Sequence, residues 1–339
     1  MEINKLNEAN MWCLMAVSER LNTMIAEMPA VVCGEDTDSI RRMRVASRRL
    51  AVAMKILGNK GALSEMRPLE KRVRKIRRIL GCARDLDVQI QSVFAFQEQA
   101  AEKRFEAGIG RLLLRLKQKR AHIQPTILKS FAEIEKEGVL TRFSEALHRA
   151  QIRYKMQDGK VDFPLTRQIA FENVHLRLQV LCSLAPFLKI PTAVTQHHQM
   201  RVAAKRLRYA MEIFKKLYGD DLDKFIQTIK GLQDLLGALH DADIWVETIP
   251  FFIEDERDKT IEYFGNTKSF SRLLPGLQSI QKNQQDLRVE IYEKTVSFWK
   301  KMEENNFLKD LESLLSEWND RDHKEVSEGT RESALDETL

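Results

Sequence analysis

The sequence predicts an all-α fold built from two similar halves, and three observations predict it. A basic phrase occurs twice: IRRMRVASRRLAVAMKIL from Ile40 to Leu57 returns as HHQMRVAAKRLRYAMEIF from His197 to Phe214, 157 positions on. A second phrase follows each copy at nearly the same offset, LGCARDLDV at Leu80 to Val88 and LGALHDADI at Leu236 to Ile244. Two ordered echoes at one spacing mean a duplicated unit about half the chain long. Finally, 339 residues contain only 14 Gly and 8 Pro, so turns are few and helices must be long.

The elements follow in order. A first helix is predicted from Ile3 to about Met28, ending before Pro29. The acidic turn GEDTD offers Asp36, Thr37 or Asp38 as a cap for the helix carrying the first basic phrase. Leu69 to Val93 forms a third helix, and Gln97 to about Met156 continues as helix with a break near Gly138. The segment QDGKVDFP, Gln157 to Pro164, gathers Asp, Gly and Pro and divides the halves. Leu165 to Leu188 then matches the first helix, and the break at KIPTA leads into the second basic helix with Thr192 as its cap. Asp221 to Ile249 carries the second echo, and Leu273 to Trp318 closes the fold. Each half is expected to be a bundle of about four main helices, residues 1–157 and 164–318. Residues 319–339 form an acidic tail expected to be disordered.

Charge is unevenly placed. Ile40 to Leu80 holds fourteen Lys or Arg against Glu65 and Glu70, whereas Met302 to Leu339 holds twelve acids against four bases. A basic block inside ordered chain points to a polyanionic partner. Cys13, Cys33, Cys82 and Cys182 are scattered without metal-ligand spacing and read as thiols of a reducing compartment. No leader-like N-terminus and no apolar run of membrane-spanning length is present, so a cytoplasmic protein without membrane attachment is expected.

The basic phrases are amphipathic. At about 100° per residue, Met43, Ala46, Leu50, Ala53, Met54 and Leu57 fall on one side of the first helix, and Met200, Ala203, Leu207, Ala210, Met211 and Phe214 on one side of the second. Away from these stripes lie Arg41, Arg44 and Arg48 in the first copy, and His198, Arg201, Lys205 and Arg208 in the second. The next helix of the first half carries Leu69, Val73, Ile76 and Leu80 on its core side, with Arg67, Lys71, Arg74 and Arg78 opposite. Its counterparts 156 residues on are Asp223, Gln227, Lys230 and Asp234, so the second half contributes only Lys230. A basic helix face is usually a solvated one, but retention of the same cationic sector in both copies favours anion binding. Arginine forks suit phosphate oxygens, and lysine adds point charge. Asp85, Asp87, Asp241 and Asp243 could attract a divalent cation; a structural role orienting Arg49 and Arg206 is preferred. Tyr209 reads as packing.

These residues resemble the CHAD family, the conserved histidine α-helical domain, whose pattern is H-x-x-R-[VI]-x-x-[KR]-R-L-R in two copies, each followed by L-G-x-x-x-D-x-[DE]. The second copy matches at His198, Arg201, Lys205, Arg206, Leu207, Arg208, Tyr209, Glu212 and Phe214, then Gln233, Leu236, Gly237 and Asp241. The first matches at Arg44, Val45, Arg48, Arg49 and Leu50, then Leu80, Gly81, Arg84, Asp85 and Asp87. Arg41 stands at the first histidine position and Ala51 where the second copy has Arg208. The resemblance implies two four-helix bundles flanking a basic groove or pore, and binding of inorganic polyphosphate, with residence at polyphosphate granules. Some relatives carry a CYTH triphosphatase domain, whose strand-rich E-x-E-x-K motif is lacking here.

Nucleic acid is the main rival partner, since its phosphates attract the same groups, but Tyr209 is the single stacking candidate on the basic faces. No P-loop, metal site or activated nucleophile is recognisable, so no catalysis and no cofactor are expected. A helical scaffold docking an acidic protein, or the chain's own tail, is a third reading.

Overall fold

The computed structural model describes residues 2–33, 37–57, 67–99, 102–155 and 164–318, and among them every regular element is helical. The first half comprises α1 (Glu2–Ala26), α2 (Met28–Cys33), α3 (Thr37–Leu57), α4 (Arg67–Gln99), α5 (Lys103–Lys136) and α6 (Val139–Lys155). The second comprises α7 (Pro164–Ser183), α8 (Val194–Tyr218), α9 (Asp223–Phe264), the short α10 (Lys268–Ser271), α11 (Leu274–Glu304) and α12 (residues 307–318). The cap candidate Asp36, residues 157–163 of the expected boundary and the acidic tail 319–339 lie outside the described residues.

Local chemistry sets the breaks. Pro29 lacks an N–H and would clash with the preceding turn, so α1 ends at Ala26; proline is tolerated within a first turn, so α2 restarts at Met28. Ahead of α8 the N-cap is Ala193, with no side-chain cap bond, and Thr192 contributes its carbonyl to the Val194 N–H instead. The largest departure from the expected elements is α9. It does not stop at Ile249 but runs through Pro250 to Phe264, where Gly265 takes the left-handed conformation (φ 70°) and caps it. Tertiary burial outweighs the lost hydrogen bond: Trp245 and Ile249 pack with Ile109 and Leu112 of α5 and Leu277 of α11. Further along, Glu256 is fully buried and accepts bonds from Arg111 at 2.8 Å and Arg115 at 2.5 Å.

The predicted stripes are core. Met43, Leu50 and Ala53 on α3, Met200, Leu207 and Phe214 on α8, and Val73 and Leu80 on α4 have no exposed surface. The halves repeat their contacts in order: α1 with α3 and α7 with α8, α3 with α4 and α8 with α9, α4 with α5 and α9 with α11. One apolar core runs continuously through both halves, and a smaller one joins the far ends of α4, α5, α9 and α11. There α5 and α11 cross so closely that a Cβ on Gly108 would collide with the Leu273 carbonyl, and one on Gly276 with the Phe105 carbonyl. α3 meets α8 across the division between halves, which brings the two basic phrases together. Among the described residues no helix is long and apolar enough to cross a membrane.

Candidate anion-binding site

The apolar stripes of α3 and α8 turn inward, so the remaining sides of these helices face each other and the neighbouring α4 and α7. Between the four lies a cleft of about 510 Å³. Arg48 and Lys55 reach it from α3, Arg74 and Arg77 from α4, Arg177 from α7, and Lys205 and Arg206 from α8. Against these seven bases stands one carboxylate, Glu70, bonded to Arg74 at 3.0 Å. Leu176, Val180 and Val202 supply an apolar wall. Tyr209 forms part of the floor; it is buried, receives a bond from Arg48 on its hydroxyl at 3.4 Å, and carries the Arg208 guanidinium over its ring.

Among the described lining residues the cations of this cluster far outnumber the single acid, Glu70. Burial, then Arg48, Arg201, Arg77 and Arg206, push the Lys205 ammonium down to about 7. Burial and the adjoining Arg48 and Arg74 also lower Arg77, with the Tyr209 hydroxyl pulling the other way. Farther along the same helices, Arg44 and Arg201 feel each other across the division between halves. Arg44 is half-buried, bonds Asp85 and the Leu80 carbonyl, each at 3.4 Å, and is lowered chiefly by its partial burial.

His198 does not stand alone. Its ring lies 4.2 Å from that of His240, centroid to centroid, with Nδ1 of each 3.2 Å apart. Burial and the neighbouring Arg201 hold both below the ordinary imidazole range, His240 down to about 4. The equivalent positions in the first half are Arg41 and Arg84, and there Arg41 is exposed and paired with Asp38 at 3.4 Å.

The sequence-predicted residues therefore divide into groups. Arg48, Arg74 and Lys205 line the cleft; Arg44, Arg201 and His198 adjoin it through their mutual fields. Arg208 turns to Glu212 at 2.7 Å and Gln233 at 3.0 Å. Lys71, Arg78 and Lys230 are exposed and do not line the cleft. Sequence reasoning missed Lys55, Arg77, Arg177 and Arg206 of the cleft, and His240 beside His198. Arg177 was signalled by the duplication, because Arg20 stands 157 positions before it.

The expectation that the four aspartates orient Arg49 and Arg206 is corrected. Arg49 is held by Glu212 at 2.9 Å. Asp87 instead ties α4 to Arg120 of α5 at 2.8 Å, and Asp243 ties α9 to Arg288 of α11 at 2.6 Å. These two struts are counterparts in the two halves; each aspartate points toward the following helix and so cannot reach the basic helix before it. Asp85 bonds Arg44, and burial raises Asp241 against the pull of Arg201. Among the described residues no group of three or more His, Cys, Asp and Glu is placed to hold a metal ion.

Comparison with known proteins bears on this geometry. The crystal structure of the CHAD domain from the plant Ricinus communis superposes with a TM-score of 0.58 at 17% identity, covering 85% of this chain and 91% of that one. A comparison with curated proteins gives no significant match. The family model for the CHAD domain matches residues 15–250, a span containing both basic phrases and both echoes, and the chain therefore belongs to the CHAD domain family.

Proposed function

We propose that this protein binds inorganic polyphosphate in the cleft between α3, α4, α7 and α8, and does no chemistry on it. The observation that carries the reading is Lys205, set among Arg48, Arg77, Arg201 and Arg206 with no acid within ion-pair distance among the described residues. So many cations gathered at the junction of two halves cost stability unless an anion joins them. Polyphosphate answers that field with one negative charge on each repeating unit, spaced closely enough to meet several side chains at once. A nucleic acid would supply phosphate at wider spacing and bases that need stacking surfaces; the Tyr209 ring is buried beneath Arg208 and offers none. We place the protein in the cytoplasm, where such polymers would be met.

The test is competition at physiological salt among labelled long-chain polyphosphate, single-stranded RNA and double-stranded DNA. Polyphosphate is expected to displace both nucleic acids, to bind more tightly as its chain lengthens, and to weaken steeply with salt as counterions are released. Tighter binding of RNA or DNA than of polyphosphate would assign the cleft to nucleic acid.

A further inference from the structure

The duplication places one pair of arginines twice in the molecule, and Glu212 of the chain bonds an arginine of the first pair. In the first half Arg20 of α1 donates to the Ala16 carbonyl, four residues back, at 2.8 Å. In the second half Arg177 of α7 donates to the Asn173 carbonyl, also four residues back, at 2.5 Å. These arginines are 157 positions apart, as are Arg49 and Arg206 of the basic helices beside them. Burial lowers both Arg20 and Arg177, and each is lowered further by its partner, Arg49 or Arg206. The same two-arginine site is thus built twice.

What differs is the acid. Beside Arg20 and Arg49, Glu212 accepts from Arg49 at 2.9 Å and from Arg208 at 2.7 Å, while its backbone carbonyl faces Arg20 at 3.5 Å. Glu19, paired with Lys216, adds a second acid to that side. In the other half Lys55 stands at the position equivalent to Glu212, and Leu176 at that of Glu19. Arg177 and Arg206 open onto the cleft together with Lys55, and the nearby Glu70 is engaged by Arg74.

We propose that Arg177 and Arg206, with Lys55, form a subsite for one phosphoryl group of a polyanion, and that Glu212 is the built-in occupant of the equivalent subsite, so that the anion is admitted from one face only. This rests on the anion-binding reading above and adds to it a direction of entry and three binding residues. Glu212 acts where it stands as a plug: it also ties α3 to α8, so the face it closes is held shut by the pairs that satisfy it.

The experiment uses the full chain carrying Lys55→Glu, with Lys55→Gln, Lys119→Glu and Glu212→Gln for comparison, each checked for helicity by circular dichroism. Tripolyphosphate and long-chain polyphosphate are titrated calorimetrically. A glutamate at 55 takes the position equivalent to Glu212, whose carboxylate holds Arg49, and is expected to neutralise Arg206, the counterpart of Arg49. Lys55→Glu should therefore weaken binding at least tenfold more than Lys119→Glu, an equal charge change at an exposed position of α5 outside the cleft, and well beyond Lys55→Gln. Glu212→Gln should raise tripolyphosphate stoichiometry from one to two. Equal losses in Lys55→Glu and Lys119→Glu overturn the subsite, and unchanged stoichiometry in a folded Glu212→Gln overturns the plug. Preference of the wild type for single-stranded RNA over polyphosphate, with RNA binding still lost in Lys55→Glu, overturns the ligand assignment and leaves the subsite standing. A wild type that binds none of these polyanions overturns both.

Discussion

The Arg44 guanidinium lies against the backbone of Gly81, where an added Cβ would stand 3.3 Å from Nη1; in the second half a Cβ on Gly237 would stand 3.7 Å from Nε of Arg201, an ordinary contact. In the first half the glycine of the echo L-G thus lets the arginine of one helix cross the next closely; in the second the same crossing leaves room for a Cβ. Arg44 has the tighter fit, because it also bonds Asp85 and the Leu80 carbonyl.

Gly81→Ala should separate stability from binding. Alanine within a helix is favoured over glycine by roughly 0.5–1 kcal/mol, so the melting temperature should hold or rise, while a displaced Arg44 lowers polyphosphate affinity several-fold. Gly237→Ala should give the same stability gain with affinity unchanged, since its Cβ makes only ordinary contact. Thermal melts and calorimetric titration of both variants check this; a matching affinity loss in the two would remove the argument from close approach.

Affinity should fall as pH rises through neutrality. Lys205 is ordinarily protonated to 10.5 but in the folded protein only to about 7, and a bound anion favours the charged form. Binding therefore takes up a proton above about pH 7, with a slope of up to about tenfold per pH unit. For folding the sign is opposite: between those two values the unfolded chain binds more protons, so the contribution of Lys205 to stability grows as pH rises. Lys205→Arg, charged throughout, should flatten the affinity profile between about pH 7 and 9. His240, neutral down to about 4, stays outside this window.

Glu256→Ala should destabilise without touching the site. The carboxylate is fully buried while Arg111 and Arg115 are about a third exposed, so removing it strands two partly hydrated cations and costs on the order of 1–3 kcal/mol, less than the loss of a fully buried pair. Chemical denaturation should show that loss, with polyphosphate affinity of the remaining folded protein unaltered. A parallel loss of affinity would mean that the far ends of α5 and α9 set the geometry of the cleft.

Much of this was legible in the sequence, because burial on long helices follows a single period. The stripes from Met43 to Met54 and from Met200 to Phe214 are buried as their spacing requires, and the α5 to α6 break falls at Gly138. The extension of α9 beyond Pro250 was not legible, since it depends on partners in α5 and α11 that are distant in sequence. On α4, of the bases predicted opposite the core stripe, Arg74 meets the cleft but Lys71 and Arg78 do not. Because α4 packs on α3 and α5 together, its flank at Arg77 enters the cleft while Lys71 and Arg78 face outward. The aspartate struts were hidden for the same reason, their partners Arg120 and Arg288 lying one helix further on.

The most direct measurement sets two triple variants against each other by calorimetric titration with long-chain polyphosphate. Arg48→Ala, Arg77→Ala and Lys205→Ala together remove three cations that line the cleft; Lys71→Ala, Arg78→Ala and Lys230→Ala together remove the same charge from exposed positions outside it. Each charge-assisted contact is worth about 1.5–3 kcal/mol when shielded from water, and about 1.4 kcal/mol is tenfold in affinity. The cleft triple should therefore bind at least about 100-fold more weakly than wild type, and the outer triple within about threefold of it. An outer triple that loses as much as the cleft triple, with helices intact in both, would show that polyphosphate is gathered by the general surface charge and that the cleft is not its site.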